Sequence, residues 1–187
     1  MDPFFVVQAG DLKNRKIFFI DSKKGHSNYT SGIIKKAVFD KLESESMQGK
    51  IEFQKSSFID LFAGSAQMAV EAISRGFNQA HCFEIDSKRY RFMKKNLSGI
   101  SKNLFIYNKD GFRYYHSLIE TQQSTLVYFL DPPYSFWDEQ EKMNLLISKI
   151  LELQNCKKLY VQSPKEINCG INYNSRRFGN NYILEFN

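Results

Sequence analysis

The chain has 187 residues, 42% of them hydrophobic and 25% charged, with 10 Gly and 4 Pro. This is ordinary globular usage, and it excludes collagen-like, coiled-coil and low-complexity classes. Lys and Arg total 26 against 20 Asp and Glu, a net charge of +6 and a pI near 9.1, which suits an anionic partner but also serves plain solubility.

No apolar run reaches the roughly 18 residues of a membrane helix. Met1–Val7 carries Asp2 where a secretory signal would be basic, so a cytoplasmic protein without a membrane partner is expected. Cys82, Cys156 and Cys169 show no close pairing, and His26, His81 and His116 are scattered. Neither a disulfide scaffold nor a metal site is expected. The length fits one domain over residues 1–187, and a monomer, with a basic N-terminal extension over about residues 1–45.

Within that extension Val6-Val7 and Ile17–Ile20 read as the arms of a hairpin. Lys13, Arg15, Lys16, Lys23 and Lys24 supply positive charge around them. Thr30 is the expected N-cap of a helix running to about Glu43, with Ile33, Ile34, Ala37, Val38 and Leu42 on one face and Lys35, Lys36 and Lys41 on others. Strands and helices then alternate: strand Ser57–Leu61 and helix Gln67–Ser74, strand Ala80–Glu84 and a helix ending near Leu97, strand Leu104–Tyr107 and a helix holding Tyr114, Tyr115 and Leu118. Strand Leu126–Leu130 and a helix over Glu139–Leu151 follow. Three further strands are expected at Lys158–Gln162, Ile171–Tyr173 and Tyr182–Phe186. Such alternation predicts an α/β, Rossmann-like fold, a mainly parallel sheet with helices on both faces, and ligands at the C-terminal ends of its strands.

Three such strand ends carry candidate cofactor groups. The first is the small-residue loop Phe62-Ala63-Gly64-Ser65-Ala66, which lets a ligand approach the backbone and equally makes a tight strand-to-helix turn. The second is Glu84, twenty positions after Gly64, suited to accept both hydroxyls of a ribose, although it or Asp86 can simply cap the next helix. The third is Asp110-Gly111, placed to accept from an adenine amine, or only to turn the chain. Together the three outline an adenosine-sized pocket.

The fourth strand ends in Asp131-Pro132-Pro133-Tyr134. Two prolines fix the backbone and remove two amide donors, leaving the Asp131 carboxylate and the Pro132 carbonyl as acceptors. A planar substrate bearing an NH2 group fits there, with Tyr134 stacked on its face. A rigid helix-start turn is the plainer alternative. Phe136 and Trp137 either wall the pocket or belong to the core.

Asp60-x-Phe62-Ala63-Gly64-Ser65, Glu84 and Asp131-Pro132-Pro133-Tyr134, in this order, resemble the S-adenosylmethionine-dependent amino-methyltransferases, and more narrowly the RsmD-like family that methylates guanine N2 in bacterial 16S rRNA. Gly10-x-Leu12-Lys13-x-Arg15-Lys16-Ile17, Thr30–Phe39, Glu71-Ala72-x-Ser74-Arg75-Gly76 and Phe178-Gly179 are similar to further stretches of that family, nearly end to end. The resemblance implies S-adenosylmethionine as cofactor, held by Asp60, Phe62, Ala63, Gly64, Ser65, Glu84, Ile85, Asp110 and Gly111. It implies catalysis at Asp131, Pro132, Pro133 and Tyr134, and 16S rRNA, a small subunit or an assembly intermediate held by Lys13, Arg15, Lys16, Thr30 and Lys35. The sequence departs from the family at Ala66, where Gly is usual, at Asn28-Tyr29, where Arg-Pro is usual, and at Gln162, where an acid often stands. Ala66 is expected to place an extra methyl beside the cofactor. Two alternatives share the fold: a DNA adenine-N6 methyltransferase, for which there is little room for a target-recognition domain, and an RNA-binding module without catalysis.

Overall fold

The structure, a computed structural model, describes residues 3–20, 30–117 and 124–187. β1 (Phe4–Val6) and β2 (Lys16–Phe18) form an antiparallel hairpin, and α1 (Gly32–Met47) follows. The alternating unit comprises β3 (Ser56–Asp60), α2 (Gln67–Ser74), β4 (Gln79–Phe83), α3 (Ser87–Leu97), β5 (Leu104–Tyr107), α4 (Gly111–Tyr114) and β6 (Thr125–Leu130). A 3-10 segment (Tyr134–Glu139), α5 (Gln140–Leu151), β7 (Cys156–Ser163), β8 (Asn174–Phe178) and β9 (Asn181–Phe186) complete it.

Seven strands make one sheet in the order β5-β4-β3-β6-β7-β9-β8. β3 to β7 run parallel, while β9 is antiparallel to both β7 and β8. The chain leaves β3 toward β4 and β5 and then crosses back to β6, so the order reverses between β3 and β6. A crevice opens at the C-terminal ends of the strands at such a reversal. Successive residues face opposite layers: Phe58 packs into the core shared with the hairpin, α1, α2 and α3, and Ile59 into the core shared with α5. Among the described residues no helix is long and apolar enough to cross a membrane.

Two expectations fail locally. Ser31, not Thr30, caps α1, its hydroxyl accepting the Ile34 amide at 3.3 Å. The strand expected at Ile171–Tyr173 is instead the polar edge strand Asn174–Phe178. Tyr173 folds the preceding loop on itself through hydrogen bonds to the Ile167 backbone and packs on Phe186, so its apolar bulk anchors a loop. Asn28-Tyr29, Lys23, Lys24, His26 and Leu118 lie outside the described residues.

The N-terminal hairpin is fastened to the sheet by one buried carboxylate. Glu71 on α2 is 0% exposed. Its Oε2 accepts the Gln8 amide and the Lys35 ammonium, each at 3.0 Å, and its Oε1 accepts the Ala9 amide at 3.0 Å and Arg75 Nε at 2.9 Å. Lys35 also donates to the Val6 carbonyl at 2.9 Å. Gly10, with φ +78°, lies so close that a Cβ there would sit 1.7 Å from the Ser74 carbonyl oxygen. Asp11 and Leu12 donate their amides to the Ser74 carbonyl and hydroxyl. The opening glycine stretch and the Glu71–Arg75 stretch are therefore the two halves of one joint.

Lys35 was expected against phosphate. It is 1% exposed and committed to Glu71, so it is not available to a polyanion. Burial pulls its pKa down, and Glu71 opposes that pull. Glu71→Ala leaves the Gln8 and Ala9 amides without their acceptor and removes the buried counter-charge of Lys35 and Arg75, which keep only the Val6 carbonyl and Glu43. The expected loss is about 3–5 kcal/mol of unfolding free energy, to be read from urea denaturation.

Candidate active site

The loop after β3 is stitched to β4. The Ala63 amide donates to the Phe83 carbonyl at 2.9 Å, and the Gly64 amide to Glu84 Oε2 at 3.0 Å. Glu84 Oε1 accepts the Asp86 amide at 2.8 Å, and Arg89 stands 3.8 Å from Oε2. Capping of α3 falls to Asp86, which accepts the Lys88 and Arg89 amides. A carboxylate has about four acceptor positions. Two on Glu84 are filled from the backbone, and two remain for an outside donor pair. Burial raises the Glu84 pKa, against its two backbone hydrogen bonds and Arg89.

These groups border a cleft, open to solvent, lined by Leu61, Phe62, Phe83, Glu84, Ile85, Asp86, Arg89, Asp110, Gly111, Asp131, Pro133 and Phe136. Gly111 is required for its shape, since a Cβ there would lie 2.1 Å from the Leu61 carbonyl oxygen. Asp110 borders the cleft and also caps α4 through the Phe112 amide at 3.0 Å. Phe136 belongs to the cleft wall, stacked with Phe112 at 5.5 Å and edge-on to Phe62 at 5.8 Å.

Of the expected cofactor residues, Phe62, Glu84, Ile85, Asp110 and Gly111 line this cleft, whereas Asp60, Ala63, Gly64 and Ser65 do not. Ser65 Oγ is buried without a hydrogen-bond partner close behind the lining loop. The extra methyl of Ala66 does not reach the cleft. It is wholly buried in the core beneath α2, and its consequence is a left-handed backbone at φ 61°, which costs a non-glycine residue about 1 kcal/mol. Leu61, Phe83 and Arg89 were not singled out from sequence, because an apolar strand end and a helix arginine carry no local mark.

A smaller pocket adjoins the cleft, lined by Asp131, Pro132, Pro133, Tyr134, Trp137, Gln162, Pro164 and Asn181. Trp137 is buried there, joining the α5-side core while also closing the pocket. Tyr134 is 52% exposed and donates to Asn181 Oδ1 at 3.0 Å, which pins its ring at the rim. Asp131 and Pro133 belong to both cavities.

Thr30 was expected to contact RNA. It is 4% exposed, and its hydroxyl donates to Asp131 Oδ2 at 2.8 Å while its carbonyl accepts from Gln67 at 2.6 Å. It positions the acceptor carboxylate and is not a surface residue. Burial pushes the Asp131 pKa up to about 6, with the Thr30 hydrogen bond acting against the rise. Asp60, wholly buried beneath, is raised well above its ordinary value by burial and then by Asp131. Lys13, Arg15 and Lys16 are exposed on the hairpin and its turn.

The sheet order and the cleft at its reversal define the class I methyltransferase fold. A Salinibacter ruber RNA methyltransferase, solved with S-adenosyl-L-homocysteine, has this fold with a TM-score of 0.59 at 11% identity, covering 84% of this chain and 92% of that one. A Thermus thermophilus protein superposes with a TM-score of 0.76 at 20% identity, covering 97% of this chain and 98% of that one. The family model described as "Conserved hypothetical protein 95" matches residues 5–185, and the chain belongs to that family. The ribosomal RNA small subunit methyltransferase D of Buchnera aphidicola subsp. Acyrthosiphon pisum is 33% identical over 146 residues, 75% of this chain and 69% of that protein.

A carboxyl group whose pKa rises on folding contributes stability that is complete below about pH 4 and is lost as pH rises through about 6. Asp131→Asn escapes that loss. The variant is expected to exceed the wild type by about 3 kcal/mol at pH 8, with the gap closing below about pH 4, in urea titrations run across that range.

Proposed function

We propose that this protein is an S-adenosylmethionine-dependent methyltransferase acting on the exocyclic N2 amine of a guanine in small-subunit rRNA. The carrying observation is that Asp131 and Pro133 border both the cleft that holds Glu84 and Asp110 and the small pocket beside Tyr134, so one acceptor group stands where two ligands would meet. The name of the Buchnera relative supports the RNA substrate, and the exposed Lys13, Arg15 and Lys16 supply charges for phosphates.

The chemistry of the donor set fits the cofactor. The two free acceptor positions of Glu84 match a ribose diol, and Ile85, 70% exposed at the cleft edge, offers an apolar face to adenine. When bound, S-adenosylmethionine supplies a methyl group already activated on sulfur. The protein's part is alignment and charge placement. The N2 lone pair of guanine is delocalised into the ring, which makes the amine a poor nucleophile. Accepting its two hydrogens at the Asp131 carboxylate and the Pro132 carbonyl favours a pyramidal nitrogen and stabilises the positive charge that develops as the N–C bond forms. The surplus proton leaves after transfer, so Asp131 need not be a strong base. Tyr134, held by Asn181, stacks on the splayed-out base.

Incubation with tritiated S-adenosylmethionine and unmethylated small ribosomal subunits should place label in N2-methylguanosine. Asp131→Ala is expected to lower turnover about a hundredfold or more while S-adenosylhomocysteine affinity, read by calorimetry, stays within about twofold. Undiminished turnover in that variant would remove Asp131 from the chemistry, and label in another nucleoside would overturn the guanine assignment.

A further inference from the structure

Gln162 is the penultimate residue of β7, one position beyond the Leu130–Val161 pair and so beside Asp131, which directly follows β6. It is 8% exposed, and its Oε1 has no hydrogen-bond partner. A buried acceptor left without a donor costs about 1–3 kcal/mol, and such groups mark a place where a ligand completes the bonding. The amide lies in the small pocket with Asp131 and Tyr134, where Pro132, Pro133 and Pro164 contribute no amide hydrogens. The walls around Gln162 are thus poor in backbone donors, and Oε1 is available to a donor on whatever fills the pocket.

We propose that Gln162 is a specificity-determining residue that accepts the ring N1–H of the target guanine. The proposal rests on the guanine-N2 reading given above. In guanine the N1–H is the next group along the edge from the N2 amine. Adjacent strands are about 4.8 Å apart, so Asp131 and Gln162, side by side, meet neighbouring groups on one base edge. The side-chain NH2 of Gln162 then faces O6, the acceptor next along that edge. Adenine presents a bare N1 beside its amine and offers Oε1 no hydrogen. A carboxylate at this position would also accept N1–H.

Gln162→Leu removes the acceptor at nearly constant volume, and Gln162→Glu keeps it. With tritiated S-adenosylmethionine and unmethylated small subunits, Gln162→Leu is expected to lose between about tenfold and a hundredfold in kcat/KM for the RNA, and Gln162→Glu to retain most of the wild-type value. Because Oε1 is unpartnered in the free protein, Gln162→Leu should unfold at the wild-type temperature or above it and bind S-adenosylhomocysteine normally, a pattern that a merely structural glutamine would not give. Wild-type label in N2-methylguanosine with an unimpaired Gln162→Leu overturns this proposal alone. Wild-type label in a different nucleoside overturns the guanine reading and the N1–H assignment with it.

Discussion

Burying one carboxylate with four donors around it organises this molecule. Glu71 collects two backbone amides from the N-terminal segment, the Lys35 ammonium from α1 and the Arg75 guanidinium from its own helix. A charge taken out of water is tolerated only when its bonding capacity is filled, so the segment around Gln8 and Ala9, α1 and α2 have to close on it together. With α1 fixed in this way, the residue just before its cap is delivered to the far end of the sheet, where Thr30 bonds Asp131 across 101 residues of sequence. The N-terminal part of the chain thereby supports the site from behind Asp131 and also carries exposed basic residues.

The same desolvation that makes Glu71 a fastener makes the site reactive. Asp60 and Asp131 sit close to one another at the ends of adjacent strands, and burial raises both. Such carboxyls weaken the fold at any pH where they are charged. Glu84 is raised by burial too, and differs in that backbone amides of two loops fill half of its acceptor capacity and hold it in place. Three carboxyls at three strand ends thus acquire different behaviour from how many donors each is given.

Much of this was legible in the residues. Strands β3 to β6 and helix α2 announce themselves through short apolar runs and punctuation, and β5 and α2 fall on the expected residues. Glu84, Asp110 and Asp131 were readable because a strand end followed by a turn has a recognisable local pattern. What was not legible depends on distant partners. Lys35 reads as an exposed helix lysine until Glu71 is brought beneath it, and Thr30 reads as a cap because Ser31 has the same chemistry one residue later. The edge strand β8, Asn-Ser-Arg-Arg-Phe, has no apolar alternation to betray it. Ala66 misled because the direction of its methyl follows from a left-handed backbone that the sequence does not state.

The central claim is that the N-terminal part of the chain holds the acceptor carboxylate through Thr30. It is tested most directly by the pH dependence of kcat/KM for S-adenosylmethionine, which reports the free enzyme, in the wild type and in Thr30→Val. The wild type is predicted to lose activity as pH falls through about 6, where Asp131 takes up its proton. Removing a donor that favours the charged carboxylate should move that limb upward by about one pH unit. An acid limb at the same pH in both proteins would contradict the account.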